Sequence, residues 1–85
     1  MQTIYKYPLS PHIGVDLPVG AEILTVQMQH GAAWLWAKID TDQHKTENRK
    51  IRCYGTGHKM NGVPAKYIGT FQIDNGALVF HVFEE

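Results

Sequence analysis

The stretch EILTVQMQHGAAWLWAKID, residues 22–40, decides how the rest of the chain is read. In its first part Leu24, Val26 and Met28 recur at every second position, with Glu22, Thr25, Gln27 and Gln29 mostly off that face. A period of two is the signature of a half-buried strand, because successive side chains of extended backbone point to opposite sides. His30-Gly31 then marks a two-residue hairpin turn. The segment 32–40 is apolar on both faces until Lys38, so it wants cover on both sides and belongs in the middle of a sheet.

The same period runs outward in both directions. Residues 2–9 read as a first strand ended by Pro8, Ser10 and Pro11, and residues 12–17 alternate Ile13, Val15 and Leu17 with polar positions or glycine. Pro18, Gly20 and their neighbours form a turn in which glycine supplies a positive φ. Residues 51–55 return to strand character, and 65–73 set Tyr67, Phe71 and Ile73 on one face with Gly69 between them. Asn75-Gly76 is a strong hairpin signal, and 77–83 form a last strand apolar on both faces. Between them, 41–50 contain no apolar residue and read as a solvated loop. About seven short strands at this spacing, with no amphipathic helix, predict a single all-β domain over residues 1–85, a small antiparallel β-sandwich or barrel.

Charge and composition exclude several functions. Eight Lys and Arg balance eight Asp and Glu, so the chain lacks the positive field of a general nucleic-acid or anionic-membrane binder. Cys53 is the only cysteine, which fits a reducing compartment and predicts the cytoplasm. No apolar run reaches transmembrane length.

The segment IRCYGTGHKM, residues 51–60, looks most like a site. It is not a phosphate loop: the glycine spacing is wrong and Gly62 and Pro64 stop any following helix. Cys53 and His58 invite a thiolate mechanism, but Cys53 shares a face with Ile51 and is expected to point inward as an inert core residue. The histidines at 12, 30, 44, 58 and 81 lack tight metal-ligand spacing, and Asp40, Asp42 and Glu47 lack the order of a calcium loop. Ser10, the only serine, lies in no nucleophile elbow. No catalytic residue, metal or cofactor is expected, and the chain does not read as an enzyme.

Aromatic and basic residues give the candidate binding surface. Arg52 and Tyr54 share the outward face of their strand, and His58 and Lys59 lie on the adjoining loop. Together they suit a partner protein or a small anionic ligand. Trp34 and Trp36 share one face of a strand; burial in the core is favoured, and they join the surface only if Leu35 and Ala37 face the core instead. Val79, His81 and Phe83 form the second face of the last strand, which either lies centrally in the sandwich or meets another copy of the chain.

The segments TIYKYPL (3–9), LPVGAEILTVQ (17–27), LWAKID (35–40), RCYGTGH (52–58), YIGTFQ (67–72) and GALVFHVFE (76–84) together resemble a family of small phage- and prophage-encoded proteins. The resemblance implies an origin in a phage or prophage of a bacterial host. It assigns no activity and no site residues. Small phage proteins without enzyme motifs commonly act by binding, which makes inhibition of a host or defence protein the leading expectation. Sequestration of a nucleotide or other small molecule, and a structural part in virion assembly, are the alternatives.

Overall fold

The computed structural model describes residues 1–10, 14–62 and 66–85. His12 and the start of the strand expected at 12–17 lie outside the described residues, as do Val63, Pro64 and Ala65. Among the described residues there are eight strands: β1 (Gln2–Pro8), β2 (Val15–Pro18), β3 (Glu22–Gln29), β4 (Ala32–Asp40), β5 (Thr46–Arg49), β6 (Ile51–Gly55), β7 (Lys66–Ile73) and β8 (Leu78–Glu84). They form three antiparallel sheets. The front sheet has the order β1-β4-β3, a two-stranded ribbon is β2-β5, and the back sheet is β6-β8-β7. The sheets do not close into a barrel. The protein is an all-β sandwich, and its shortest extent of 17 Å matches two stacked layers about 10 Å apart with their side chains.

The alternation in β4 sets the layers. Leu35, Ala37 and Ile39 are buried, while Trp34, Trp36 and Lys38 take the opposite side. Leu35 joins Val26 of β3 and, from the back sheet, Ile51 and Val82 in one core cluster. Ala37 and Ile39 join Leu17 and Ala21 beneath the ribbon in a second. One face of the front sheet is thus covered at one end by the back sheet and at the other by the ribbon. As expected from their two apolar faces, β4 and β8 are the central strands of their sheets.

Local chemistry ends the strands where the sequence placed turns. His30 and Gly31 both adopt positive φ (52° and 78°), the conformation a two-residue hairpin between β3 and β4 needs. At Pro18–Ala21, Gly20 has φ 83° and the Ala21 N–H donates to the Pro18 carbonyl at 3.0 Å. The β7–β8 connection is longer than an Asn-Gly hairpin. Asp74, Asn75 and Gly76 all take positive φ, with Ala77 N–H closing back on the Asp74 carbonyl.

Three expectations are corrected. The polar segment 41–50 is not wholly loop, because Thr46–Arg49 form β5 opposite Pro18–Val15. Its pairing with β2 rests on backbone hydrogen bonds and on Asn48 Nδ2, which donates to Asp16 Oδ1 at 3.1 Å, none of which leaves an apolar pattern. Trp34 and Trp36 are not core residues; they lie half-buried on the outer surface of the front sheet. Finally, strict alternation fails twice at β-bulges. A register shift between Ile23 and Thr25 leaves Leu24 exposed and turns Ile23 toward the core. Another between Tyr67 and Gly69 puts Ile68 against the core and Tyr67 on the opposite face from Phe71. A bulge inserts one residue into the pleat, so every position beyond it changes phase.

Candidate functional site

The outer face of the back sheet gathers the site from three strands and one loop. In β6, Ile51 and Cys53 point inward and Arg52 and Tyr54 outward, as the alternation requires. The register sets Phe83 opposite Arg52 and His81 opposite Tyr54. On the other side of β8, Tyr67 stands opposite Phe83 and Thr70 opposite His81. The bulge at Ile68 brings Tyr67 and Thr70, three positions apart, onto this same face.

Phe83 is the centre of an aromatic group. Tyr54 meets it edge to face at 5.9 Å and 68°, and Tyr67 at 5.4 Å and 63°, the geometry in which a positive ring edge meets a negative ring face. Beside them runs a chain of hydrogen bonds. The Tyr67 hydroxyl is 2.6 Å from Thr70 Oγ1, Thr70 Oγ1 is 3.0 Å from His81 Nδ1, and His81 Nε2 is 2.7 Å from Thr56 Oγ1. Both ring nitrogens of His81 are therefore held, and the imidazole is fixed in place.

The GTGH turn closes one end. The His58 N–H donates to the Gly55 carbonyl at 3.0 Å, and its ring lies over Gly55, where a Cβ would stand 2.7 Å from Nδ1. A side chain at position 55 would push the His58 ring aside. Tyr54, Thr56, His58, Met60, Tyr67, His81 and Phe83 line the resulting hollow of about 220 Å³. Tyr67 is 55% exposed and Met60 48%, so apolar surface lies open at the rim.

Of the residues read from the sequence, Tyr54 and His58 line the hollow. Arg52 stands on the same face, but its Nη2 donates to Glu85 Oε1 at 2.8 Å. That bond holds the guanidinium firmly charged and partly neutralises it for any incoming anion. Lys59 is exposed on the loop and does not line the hollow. Trp34 and Trp36 are not brought into the site at all, since they lie on the outer side of the other layer. There Lys6 Nζ covers them, 4.4 Å from the Trp34 ring centre and 6.0 Å from that of Trp36, and bonds Gln29 Oε1. Trp34 Nε1 donates to the Gln29 carbonyl at 3.3 Å. This aromatic face is closed by its own lysine through cation–π contact.

Thr56, Met60, Tyr67, Thr70, His81 and Phe83 were missed as site residues. His81 and Phe83 were legible as an outward face of the last strand, but only the register of three strands shows what stands beside them. Tyr67 carried a misleading signal because of the bulge.

Cys53 packs against the core cluster, away from the hollow, and burial pushes its thiol pKa up. A thiol so placed is a poor nucleophile. Alkylation of native Cys53 by iodoacetamide at mildly alkaline pH is expected to be at least about tenfold slower than in the unfolded chain. Equal rates would show that the side chain faces solvent. Among the described residues, no three His, Cys, Asp or Glu side chains come together as a metal site. Nor, among the described residues, is any helix long and apolar enough to cross a membrane.

The fold and the hollow define a small β-sandwich that carries an aromatic recess on one sheet face. The chain belongs to the DUF7352 family, a domain of unknown function whose sequence model matches residues 1–85. No curated protein and no solved structure matches it.

Proposed function

We propose that this chain is a non-enzymatic binding module that captures another protein by receiving one apolar or aromatic side chain in the hollow of the back sheet. The observation that carries this reading is the size and lining of that hollow. Pockets for whole small molecules run to about 300–1,000 Å³ and enclose most of the ligand. This one has about 220 Å³ and is flanked by exposed Tyr67 and Met60. Those dimensions suit a single anchoring side chain with a surrounding rim of contact, the pattern of an interface hot spot. The hydroxyls of Thr56 and Tyr67 and the His58 ring offer the polar contacts that fix its direction.

The resemblance to phage and prophage proteins extends the reading to a bacterial host protein as target, met in the cytoplasm. Its effect would be inhibition of a host or defence factor by occupation of a surface. Sequestration of a nucleotide is the second reading. Its support is the aromatic lining with His58 and Lys59 nearby, and it is weakened by the small volume and by the neutralisation of Arg52.

Capture from bacterial lysate by the immobilised chain, compared with Tyr67→Ala, tests the proposal. Tyr67 is exposed, so its loss leaves the fold intact, and retention of the specific partner is expected to fall at least about tenfold. Equal retention by the variant would remove the hollow from the interaction. A nucleotide panel read by thermal unfolding separates the second reading. A ligand at 100 times its Kd adds about 2.7 kcal/mol of stability, and such a shift would favour sequestration.

A further inference from the structure

β1 stands apart in its backbone hydrogen bonding. Among the described residues, its only sheet neighbour is β4. The Leu9 N–H donates to the Ala33 carbonyl, and the Thr41 N–H to the Met1 carbonyl. Both bonds continue the unbroken register that sets Thr3, Tyr5 and Tyr7 opposite Ile39, Ala37 and Leu35. Bonded and unbonded pairs alternate in an antiparallel ladder. The odd-numbered residues of β1 therefore direct their N–H and C=O to β4, and the even-numbered ones direct theirs to the open edge. That edge presents the N–H groups of Gln2, Ile4 and Lys6, while Pro8 has none to present.

The other edge strands are covered or blunted, with Gly69 of β7 lying against Val26 of β3. β3 and β7 carry bulges, and β2, β5 and β6 are only 4, 4 and 5 residues long. β1 runs 7 residues without a break. Its one charge, Lys6, is turned across Trp34 and onto Gln29 instead of guarding the edge. Ile4 and Tyr5, on opposite faces of the strand, are 55% and 51% exposed. A straight edge with apolar side chains on both sides is a template for another strand.

We propose that β1 pairs antiparallel with β1 of a second copy, about a twofold axis at Ile4. The register follows from the residues. Centred on Ile4, the bonded pairs are Gln2 with Lys6 of the second copy, Ile4 with Ile4, and Lys6 with Gln2, so every free N–H of the strand is used. Centring on Tyr5 sets Pro8, which has no N–H, opposite Gln2. Centring on Lys6 sets the two lysines directly opposite, where like charges repel. A shift toward Thr3 shortens the overlap. The chosen register buries Ile4 against its own copy and joins the two front sheets into one, and the zero net charge leaves no long-range repulsion against it. This surface belongs to the front sheet and is independent of the hollow on the back sheet.

Sedimentation equilibrium of the full chain, with Ile4→Lys and with Thr3→Cys/Tyr5→Cys in a Cys53→Ala background, tests the proposal. The unmodified chain is expected to dimerise as its concentration rises. Ile4→Lys sets two ammonium groups at the axis and is expected to weaken the dimer at least about tenfold. Its melting temperature at low concentration should be unchanged, because Ile4 is exposed and its N–H lies outside the β1–β4 ladder. Thr3 and Tyr5 of the two copies form an unbonded pair with Cα atoms about 4.5 Å apart, so the double-cysteine variant should cross-link under mild oxidation and Thr3→Cys alone should not. A wild-type monomer at about 1 mM, a dimer indifferent to Ile4→Lys, or failure of the double-cysteine variant to cross-link would each overturn the proposal.

Discussion

Leu35→Ala is expected to destabilise the domain by about 3 kcal/mol, because it opens a cavity in a fully buried site that the surroundings only partly fill. In a domain of this size that lowers the melting temperature by about 15 °C. Leu35 links Val26 of its own sheet to Ile51 and Val82 of the other, so the cavity lies between the layers. The telling comparison is Trp36→Ala, one position along β4. Trp36 is much the larger side chain, yet it lies half-buried on the outer face beneath Lys6. Its loss is expected to cost less, since truncation on the solvent side of the sheet leaves no enclosed cavity between the layers. Thermal unfolding of the two variants decides the matter. A larger loss for Trp36→Ala would mean that the tryptophan face is the true core and that the layers are inverted.

The second large effect is expected at Arg49. Its Nε and Nη2 bind the two carboxylate oxygens of Glu84, the Nη2 bond being 3.0 Å, and its Nη1 donates to the Ala21 carbonyl at 2.8 Å. One guanidinium thereby ties the ribbon to β8 and to the end of the β2–β3 turn. The bond to Glu84 raises the pKa of an already strong base, so the side chain stays charged at any working pH. Removing one partner of a buried pair costs about 3–5 kcal/mol, and the 19% and 15% exposure of these side chains brings the expected cost of Arg49→Ala to about 2–3 kcal/mol. Arg49→Lys should restore little, because an ammonium group cannot make the two-pronged bond and reach Ala21 as well. Arg49→Met with Glu84→Leu should recover much of the loss, since neither charge is then left unpaired. Urea unfolding of the double-mutant cycle measures the coupling, and a value below about 0.5 kcal/mol would mean that the pair does not join the sheets.

Arg49 also shows where sequence reading stopped. It lies in a run of polar residues that carries no hydrophobic period, so nothing marked Thr46–Arg49 as a strand. The strand exists because β2 supplies a partner, and a partner so distant in the chain, Val15 opposite Arg49 and Pro18 opposite Thr46, leaves no local trace. The candidate site divides in the same way. Tyr54 and His58 were legible because Tyr54 alternates with inward Cys53 and the His58 loop follows directly. Tyr67 was set on the wrong face by an unseen bulge, and Lys59 was included only because it is next in the chain.

By itself the sequence determined the all-β class, the central positions of β4 and β8, the inward turn of Cys53 and most of the turns. Each of these depends on the two-residue period of extended backbone and on residues that tolerate positive φ, which are properties of neighbours along the chain. Tertiary structure alone decided which face of β4 is the core, where the two bulges reverse the pleat, that β5 forms at all, and which side chains gather around Phe83. Those outcomes depend on the register between distant strands and on competition for a limited buried area, and no single segment carries either.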